Sequence, residues 1–438
     1  MTGVFRRRWV RSPAQPALAA LSKAAGGPTT YTLSAAHGSF TLSGQSASLL
    51  ANRVLPAAHG SITVSGQDAA LLKAFRLIAA HGTVTLSGQA AALLAARRLE
   101  AAHGTFALSG QDATFLKAFR LLAEHGMLSL SGQDAELLKA SRLTASHGVY
   151  SIAGQDAALI RAFRLLAANG MIAVSGQSAS LLKVSRLTAE HGTVTLSGQA
   201  ASLLAARRLE AAHGTFTLSG QDATFIKAFR LLAEHGVLSL SGQDAALLKA
   251  SRLAVEHGAY SIAGQDATLT RAFRLLAEHG MLAVSGQTAG LLKASRLTAE
   301  HGTVTLAGQD ASLLRAYVLA AAHGVVNISG QSAELRRVFR LVAEHGAVAV
   351  VGQDAGLLRA YVMVAEHGTF VLSGQAATLF KPYIPQDVRI TIAEMETGEE
   401  IVVVLAADEV AFQEKGSAVA FVDAGDSSVF QDMPETVH

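Results

Sequence analysis

Apolar and polar positions repeat every 22 residues from about His37 to Lys381, which gives sixteen copies of one unit. Counted from its histidine, the unit reads H-G-x-φ-x-φ-S-G-Q-D-A-x-L-L-K-A-F-R-L-x-A-E, in which φ is an apolar residue. A unit this short cannot enclose a core alone, so it buries its apolar side only by stacking on its neighbours. The repeat therefore predicts a solenoid.

The two halves of the unit have different hydrophobic periods. In residues 82–87, apolar Val84 and Leu86 alternate with small polar side chains, which is typical of a half-buried strand. In residues 112–124 the apolar positions recur at spacings of three and four, which favours a helix. The aspartate before this segment would cap the N-terminus of the helix, and His-Gly would cap its C-terminus.

These patterns predict an α/β fold, a solenoid of about sixteen 22-residue strand-helix repeats with a parallel sheet on the concave side. Because strands stack at about 4.8 Å and helices at about 8 to 10 Å, we expect the array to curve by about 20 to 25° per unit. The solenoid spans residues 31–381. A basic N-terminal segment, 1–30, precedes it, and an acidic C-terminal β cap or docking element, 382–438, follows it.

Two residue types recur so regularly that we assign them structural roles. Glutamine follows the glycine that ends the alternating half of every unit, and we expect its amides to form a buried, stacked ladder. This predicted ladder contains Gln45, Gln67, Gln89, Gln111, Gln133, Gln155, Gln177, Gln199, Gln221, Gln243, Gln265, Gln287, Gln309, Gln331, Gln353 and Gln375. Histidine precedes the glycine at the start of every unit except one, which has Asn169 instead. An asparagine at this position fits a helix cap but would interrupt a row of metal ligands. The predicted helix caps include His37, His59, His81, His103, Asp68, Asp112 and Asp134.

Two apolar rows follow from the predicted helix. At the position of Phe75, phenylalanine alternates with serine, as in Phe119 and Ser141, and we interpret the phenylalanines as core residues that interlock neighbouring helices. The leucines equivalent to Leu99 point away from the buried face of a regular helix. Either the helix ends early and this leucine folds inward, or the outer surface carries an apolar stripe.

Arginine recurs at the position of Arg120, often with lysine three residues earlier, as at Lys117. Such rows can follow an anionic polymer. Acidic residues such as Asp112 and Glu124 dilute the positive field, and single-stranded nucleic acid also needs exposed aromatic platforms. We therefore interpret the row as a solvated or salt-bridged face and expect no nucleic-acid partner.

Composition narrows the function further. The formal net charge is +3 and cysteine is absent, so disulfides and thiolate metal sites are excluded. No nucleophile elbow, phosphate loop or zinc motif occurs, and we predict no enzyme activity, no catalytic residue, no cofactor and no metal. Every apolar run ends well before the roughly 20 residues that a membrane span needs, so no membrane partner is expected.

The pattern G-[ST]-φ-x-[LV]-S-G-Q-[DSA]-A-x-L, joined by R-L-x-A-x-H-G, extends over about Tyr31 to Phe380. It resembles tandem-repeat proteins encoded by tailed bacteriophages and prophages. The resemblance implies a structural, fibre-like or adhesion component of a virion, assembled in the host cytoplasm. Its partners would be other virion proteins or copies of itself, together with a host-surface ligand.

An alternative is a cellular scaffold, cytoplasmic or on the cell surface, that resembles leucine-rich-repeat proteins. Its concave sheet would hold a protein or glycan ligand.

Overall fold

The computed structural model describes residues 36–49, 52–71, 73–365 and 367–380, and three short strands at 390–392, 401–404 and 419–421. The chain divides into two compact units, Met1–Asp156 and Ala157–His438. The predicted basic segment 1–30 and most of the acidic segment 382–438 lie outside the described residues, so both assignments stay predictions.

Each unit is a parallel β-solenoid, and the chain forms about 15 turns. Within the described ranges every regular element is a strand, and no helix occurs. The predicted tandem-repeat solenoid is confirmed. The α/β prediction is wrong, because the second half of each repeat also forms strands.

The described strands of the first unit are β1 Ser39–Leu49, β2 Asn52–Ala57, β3 Ser61–Leu71, β4 Ala74–Ala79, β5 Thr83–Ser87, β6 Ala90–Leu93, β7 Ala96–Ala101, β8 Thr105–Ser109, β9 Asp112–Phe115, β10 Ala118–Ala123, β11 Met127–Ser131, β12 Asp134–Ala145 and β13 Val149–Ala153. Strand β14, Asp156–Ala167, begins at the last residue of this unit.

The described strands of the second unit continue with β15 Met171–Ala189, β16 Thr193–Ala211, β17 Thr215–Ser219, β18 Asp222–Ala233, β19 Val237–Ser241, β20 Asp244–Val255, β21 Ala259–Ala263, β22 Asp266–Ala277, β23 Met281–Ser285, β24 Thr288–Ala299, β25 Thr303–Ala307, β26 Asp310–Leu313, β27 Ala316–Ala321, β28 Val325–Leu335, β29 Val338–Ala343, β30 Ala347–Leu357, β31 Ala360–Ala365, β32 Thr369–Ser373 and β33 Ala376–Phe380. Three short strands follow, β34 Ile390–Ile392, β35 Ile401–Val404 and β36 Val419–Phe421.

Within each unit, stacked turns pair residues one repeat apart. Thr83 pairs with Thr105, and Thr193 pairs with Thr215, both in parallel ladders. The corners join the ladder too, since the backbone N–H of Thr105 donates to the carbonyl of Gly82 at 3.1 Å. Because every side of the coil stacks at the same strand spacing, the layer mismatch behind the predicted curvature does not exist.

The second half of the repeat forms strands because its buried positions fit a bent strand. In β6 and β7 the buried residues are Ala91, Leu93, Ala96, Leu99 and Ala101. Two outward residues separate Leu93 from Ala96, and two more separate Ala96 from Leu99. The strand bends at each outward pair, so the buried residues on either side of the pair are three positions apart. A spacing of three is also typical of a helix.

The buried leucine row answers one of the open alternatives. Leu99, Leu121 and Leu143 are at most 1% exposed and lie inside the coil. They point inward because they belong to strands, and neither an early helix end nor an apolar outer stripe is needed.

The phenylalanines at the alternating row are not core residues, so that interpretation was wrong. Phe119 is 60% exposed, and Phe163 is 67% exposed. Each lies in the second outward pair of its turn, where the strand bends and the side chain cannot turn inward. The core instead contains other residues of the same strands, such as Ala118 and Leu121.

The glycine of the His-Gly corner is needed for close stacking of backbones. A Cβ atom on Gly126 would overlap the carbonyl oxygen of Gly104 in the turn before. The predicted role of this glycine as a left-handed helix cap was wrong, because the corner ends a strand and no helix is present.

Three strands continue the parallel pairing beyond the regular repeats. Phe370 pairs with Ile390, Thr378 with Val402, and Ile401 with Val419. The spacing between partners is no longer constant, in agreement with the end of the sequence repeat at Lys381. These three strands lie in the segment 382–438, for which a β cap or docking element was expected, and their described pairings are parallel.

Candidate functional site

The sixteen predicted ladder glutamines lie at the same position of successive turns, on the outside of the coil in each unit. Gln89, Gln111 and their equivalents from Gln45 to Gln375 are exposed. The backbone stabilises this corner, since the N–H of Asp112 donates to the Gln89 carbonyl at 3.0 Å. The predicted stacking of the glutamine amides stays a prediction, and the expectation that the row is buried is wrong, because these side chains face solvent.

The histidines form a second exposed row. The rings of His59 and His81 stack with centroids 4.9 Å apart and planes 3° apart, and the same geometry joins His213 to His235. His37, His59, His81 and His103 were predicted to cap helices, and that role is wrong because no helix ends there. Their backbone N–H groups instead join the inter-turn ladder, as when His103 donates to Ala80 at 2.7 Å.

The aspartates predicted to be N-caps are also exposed strand residues. Asp112 and Asp134 begin β9 and β12, and Asp68 lies within β3. In the second unit the equivalent Asp222, Asp244 and Asp266 pair along the ladder in register. They give each turn one outward carboxylate near the glutamine corner.

One outward strip of the second unit combines cations with aromatic rings. We define the aromatic-cationic strip as Lys227, Phe229, Arg230, Lys249, Ser251, Arg252, Arg271, Phe273, Arg274, Lys293, Ser295 and Arg296. Lys227, Lys249 and Arg271 are paired in register, as are Arg230, Arg252 and Arg274. Each turn therefore contributes two cations to the same face.

Aromatic rings flank a groove in this strip. Phe229 and Phe273 are 67% and 66% exposed and lie two turns apart, with Ser251 between them. The groove has a volume of about 970 Å³, and Lys249 and Arg252 also line it. It is an open surface feature built from one short segment of each of four successive turns.

The ion pairs of the neighbouring turns are absent from this part of the strip. Arg208 contacts Glu210 at 2.9 Å, and Arg98 contacts Glu100 at 3.0 Å. The position equivalent to Glu210 is Ala254 two turns later. Among the described residues, the buried Nε atom of Arg252 has no hydrogen-bond acceptor.

Burial shifts the protonation of a few groups. Burial, a hydrogen bond with Glu210 and the charges of Glu210 and Glu256 raise the pKa of Glu234, and the charge of Arg208 opposes the shift. Burial also raises the pKa of Tyr150 and Tyr260, so both phenols stay neutral inside the coil.

The sequence contained the signal for the strip but did not reveal its exposure. Arginine and lysine rows were recognised, whereas the aromatic row was assigned to the core. Within the described ranges, no group of three or more histidine, cysteine, aspartate or glutamate residues is arranged to hold a metal ion. Those ranges also contain no helix with the length and apolar character of a membrane span.

Comparison with protein-family models, curated proteins and solved structures finds no match to this chain.

Proposed function

We propose that this chain is a non-catalytic structural protein, a fibre-like or adhesion component of a bacteriophage virion. The observation that carries the proposal is the constant one-repeat register within each unit, as in the pairing of β15 with β16 from Met171 to Ala189. A coil of this kind adds a full set of backbone hydrogen bonds with every turn. It supports a stiff, extendable body rather than one deep pocket.

The outward side chains support the same function. Glutamine recurs once in every turn, histidine in all but one, and arginine or lysine in most, so a contact made by one turn can be repeated along the coil. Repeated weak contacts give high avidity to a surface or to a neighbouring subunit. A role in assembly or adhesion uses this repetition, whereas a catalytic site needs a single arrangement of different groups.

The test is mass spectrometry of purified phage particles produced by a host that carries the gene, with the unassembled lysate fraction as the control. We expect peptides from this chain to co-purify with the major particle proteins through a density gradient. If the chain stays in the unassembled fraction, the virion proposal is wrong.

The alternative of a cellular protein- or glycan-binding scaffold stays a prediction. The strand-helix fold that it shared with leucine-rich-repeat proteins is wrong, because the described turns contain strands and no helix.

A further inference from the structure

The groove between Phe229 and Phe273 is built for a ligand that is both charged and ring-containing. Both rings line it together with Lys249, Ser251 and Arg252, and it extends past Phe273 to Lys293 and Ser295. Neighbouring strands are about 4.8 Å apart, so the two phenylalanines are separated by about 10 Å along the coil. This spacing leaves room for one ring-shaped group between successive aromatic side chains.

No carboxylate among the described residues forms an ion pair with the cations of the groove. At the turn spacing, two like charges in water repel by about 0.9 kcal/mol. Arg252 has no carboxylate at the position that serves Arg208, because Ala254 stands where Arg208 has Glu210. Guanidinium groups form strong, charge-assisted hydrogen bonds with carboxylates, so an anionic ligand group would supply the partner that this turn lacks.

The charged residues around the strip indicate which kind of anion it binds. Residues 222–300 contain eight lysine and arginine residues and seven aspartate and glutamate residues. In three of the four turns acids flank the strip on both sides, as with Asp244 before it and Glu256 after it, and the fourth has Thr288 in place of the aspartate. Because nucleic-acid affinity depends on densely spaced phosphates, two flanking rows of carboxylates disfavour a phosphate polymer.

A polysaccharide fits the same arrangement better. The C–H face of a sugar ring packs on an aromatic ring, and carboxylates such as Asp244 accept hydrogen bonds from sugar hydroxyls. A sugar in an extended chain is about as long as one turn is high, so a disaccharide spans the two turns between Phe229 and Phe273. A carboxylate on alternate sugars would then lie near Lys249 and Arg252.

We infer that the aromatic-cationic strip binds an acidic polysaccharide along the coil axis. Sugar rings stack on the exposed phenylalanines, and uronate carboxylates pair with the lysines and arginines between them. This inference rests on the adhesion role proposed above and names the ligand class for it. The binding measurement itself uses the purified full chain and does not depend on where the protein is found.

The experiment measures binding of the full chain to immobilised alginate, a polyuronate, by biolayer interferometry. The aromatic variant changes Phe229 and Phe273, the two phenylalanines of the strip, to serine, the residue that the chain itself has at Ser251 and Ser295. The cationic variant changes Lys227, Lys249 and Lys293 to alanine, which the chain has in register at Ala205. Because native turns accept both replacements, we expect both variants to fold.

We expect each variant to bind alginate at least about tenfold more weakly than the unchanged chain. The control variant, Thr215→Ala with Thr217→Ala, alters another outward face and should bind as the unchanged chain does. Neutral dextran should not bind, and added salt should weaken alginate binding.

The inference is overturned if alginate does not bind, or if the aromatic and cationic variants bind as well as the control. Tighter binding to single-stranded poly(dT) than to alginate, lost in the same variants, would show a nucleic-acid site instead. If the chain is present in particles but does not bind alginate, only the ligand class is refuted. Alginate binding by a chain absent from particles refutes only the virion role.

Discussion

Replacing one leucine in each of two rows distinguishes the β-solenoid from the strand-helix fold that the sequence favoured. Leu253 is 0% exposed and Leu248 is 40% exposed, although they lie five residues apart in β20. In a helix the order would reverse, since the row of Leu248 would face the core and the row of Leu253 would point outward. Leu253→Ala and Leu248→Ala are therefore a matched pair with opposite expectations.

The magnitudes follow from burial. Leu253 stacks in register between Leu231 and Leu275, so its removal leaves a cavity that neighbouring turns cannot fill, and we expect a cost of about 2 to 5 kcal/mol. Burying a leucine completely contributes about 1.5 to 3 kcal/mol, and Leu248 is only partly buried beside water. We expect Leu248→Ala to cost about 1 kcal/mol.

Hydrogen exchange read by mass spectrometry is the suitable assay. Repeat arrays can open locally, so one unfolding midpoint does not report the free energy at a chosen turn. In peptides covering residues 244–255, amide exchange should accelerate at least about 30-fold in Leu253→Ala and about fivefold in Leu248→Ala. Equal effects, or a larger effect of Leu248→Ala, would refute the inward placement of the Leu253 row.

Further predictions follow from the same coil. Gly126→Ala should destabilise its turns by more than about 2 kcal/mol because the new Cβ overlaps the Gly104 carbonyl. Gly290→Ala should be neutral or stabilising, since its Cβ would meet only Thr268 at 3.7 Å. Thermal unfolding of both variants tests this, and equal losses of stability would contradict the stacking argument. Phe273→Ser should change the unfolding midpoint little because this ring is 66% exposed. A loss of stability as large as that of Leu253→Ala would show that the ring is buried. His235→Asn, which copies Asn169, should cost less than about 1 kcal/mol in chemical denaturation because the ring is exposed, and a larger cost would show that stacking of the histidines stabilises the coil. The raised pKa of Glu234 means that the protonated side chain stabilises the fold at acidic pH, and that this stabilisation is lost as pH rises through the raised pKa. Glu234→Gln should therefore raise the unfolding midpoint at neutral pH and not at acidic pH. An equal shift at both pH values would contradict the raised pKa.

The sequence was sufficient for the repeat, its length and the strand that opens each turn. Alternation at Val84 and Leu86 has only one common structural cause, a strand with one buried face. The unit length also predicted stacking, because so few residues cannot bury their apolar side alone. Single substitutions such as Asn169 already argued that the histidines are structural.

The second half of the repeat was ambiguous for a physical reason. Ala91, Leu93, Ala96, Leu99 and Ala101 are spaced two, three, three and two apart, so the central spacing of three fits both a helix and a bent strand. The Leu99 row carried the signal against a helix, since it could not be buried there. Only contacts with the turns above and below favour the strand, and a single repeat contains no such contacts.

The site shows the same division between sequence and tertiary structure. The sequence by itself determined that cations, aromatic residues, glutamines and histidines recur once or twice per turn at fixed positions. The tertiary structure decided which of them face water, because the direction of each side chain depends on where the strand bends. Phe229 therefore changed from a predicted core residue to an exposed ring beside Arg252, since stacking between turns fills the core with leucine and alanine and leaves the bends outside.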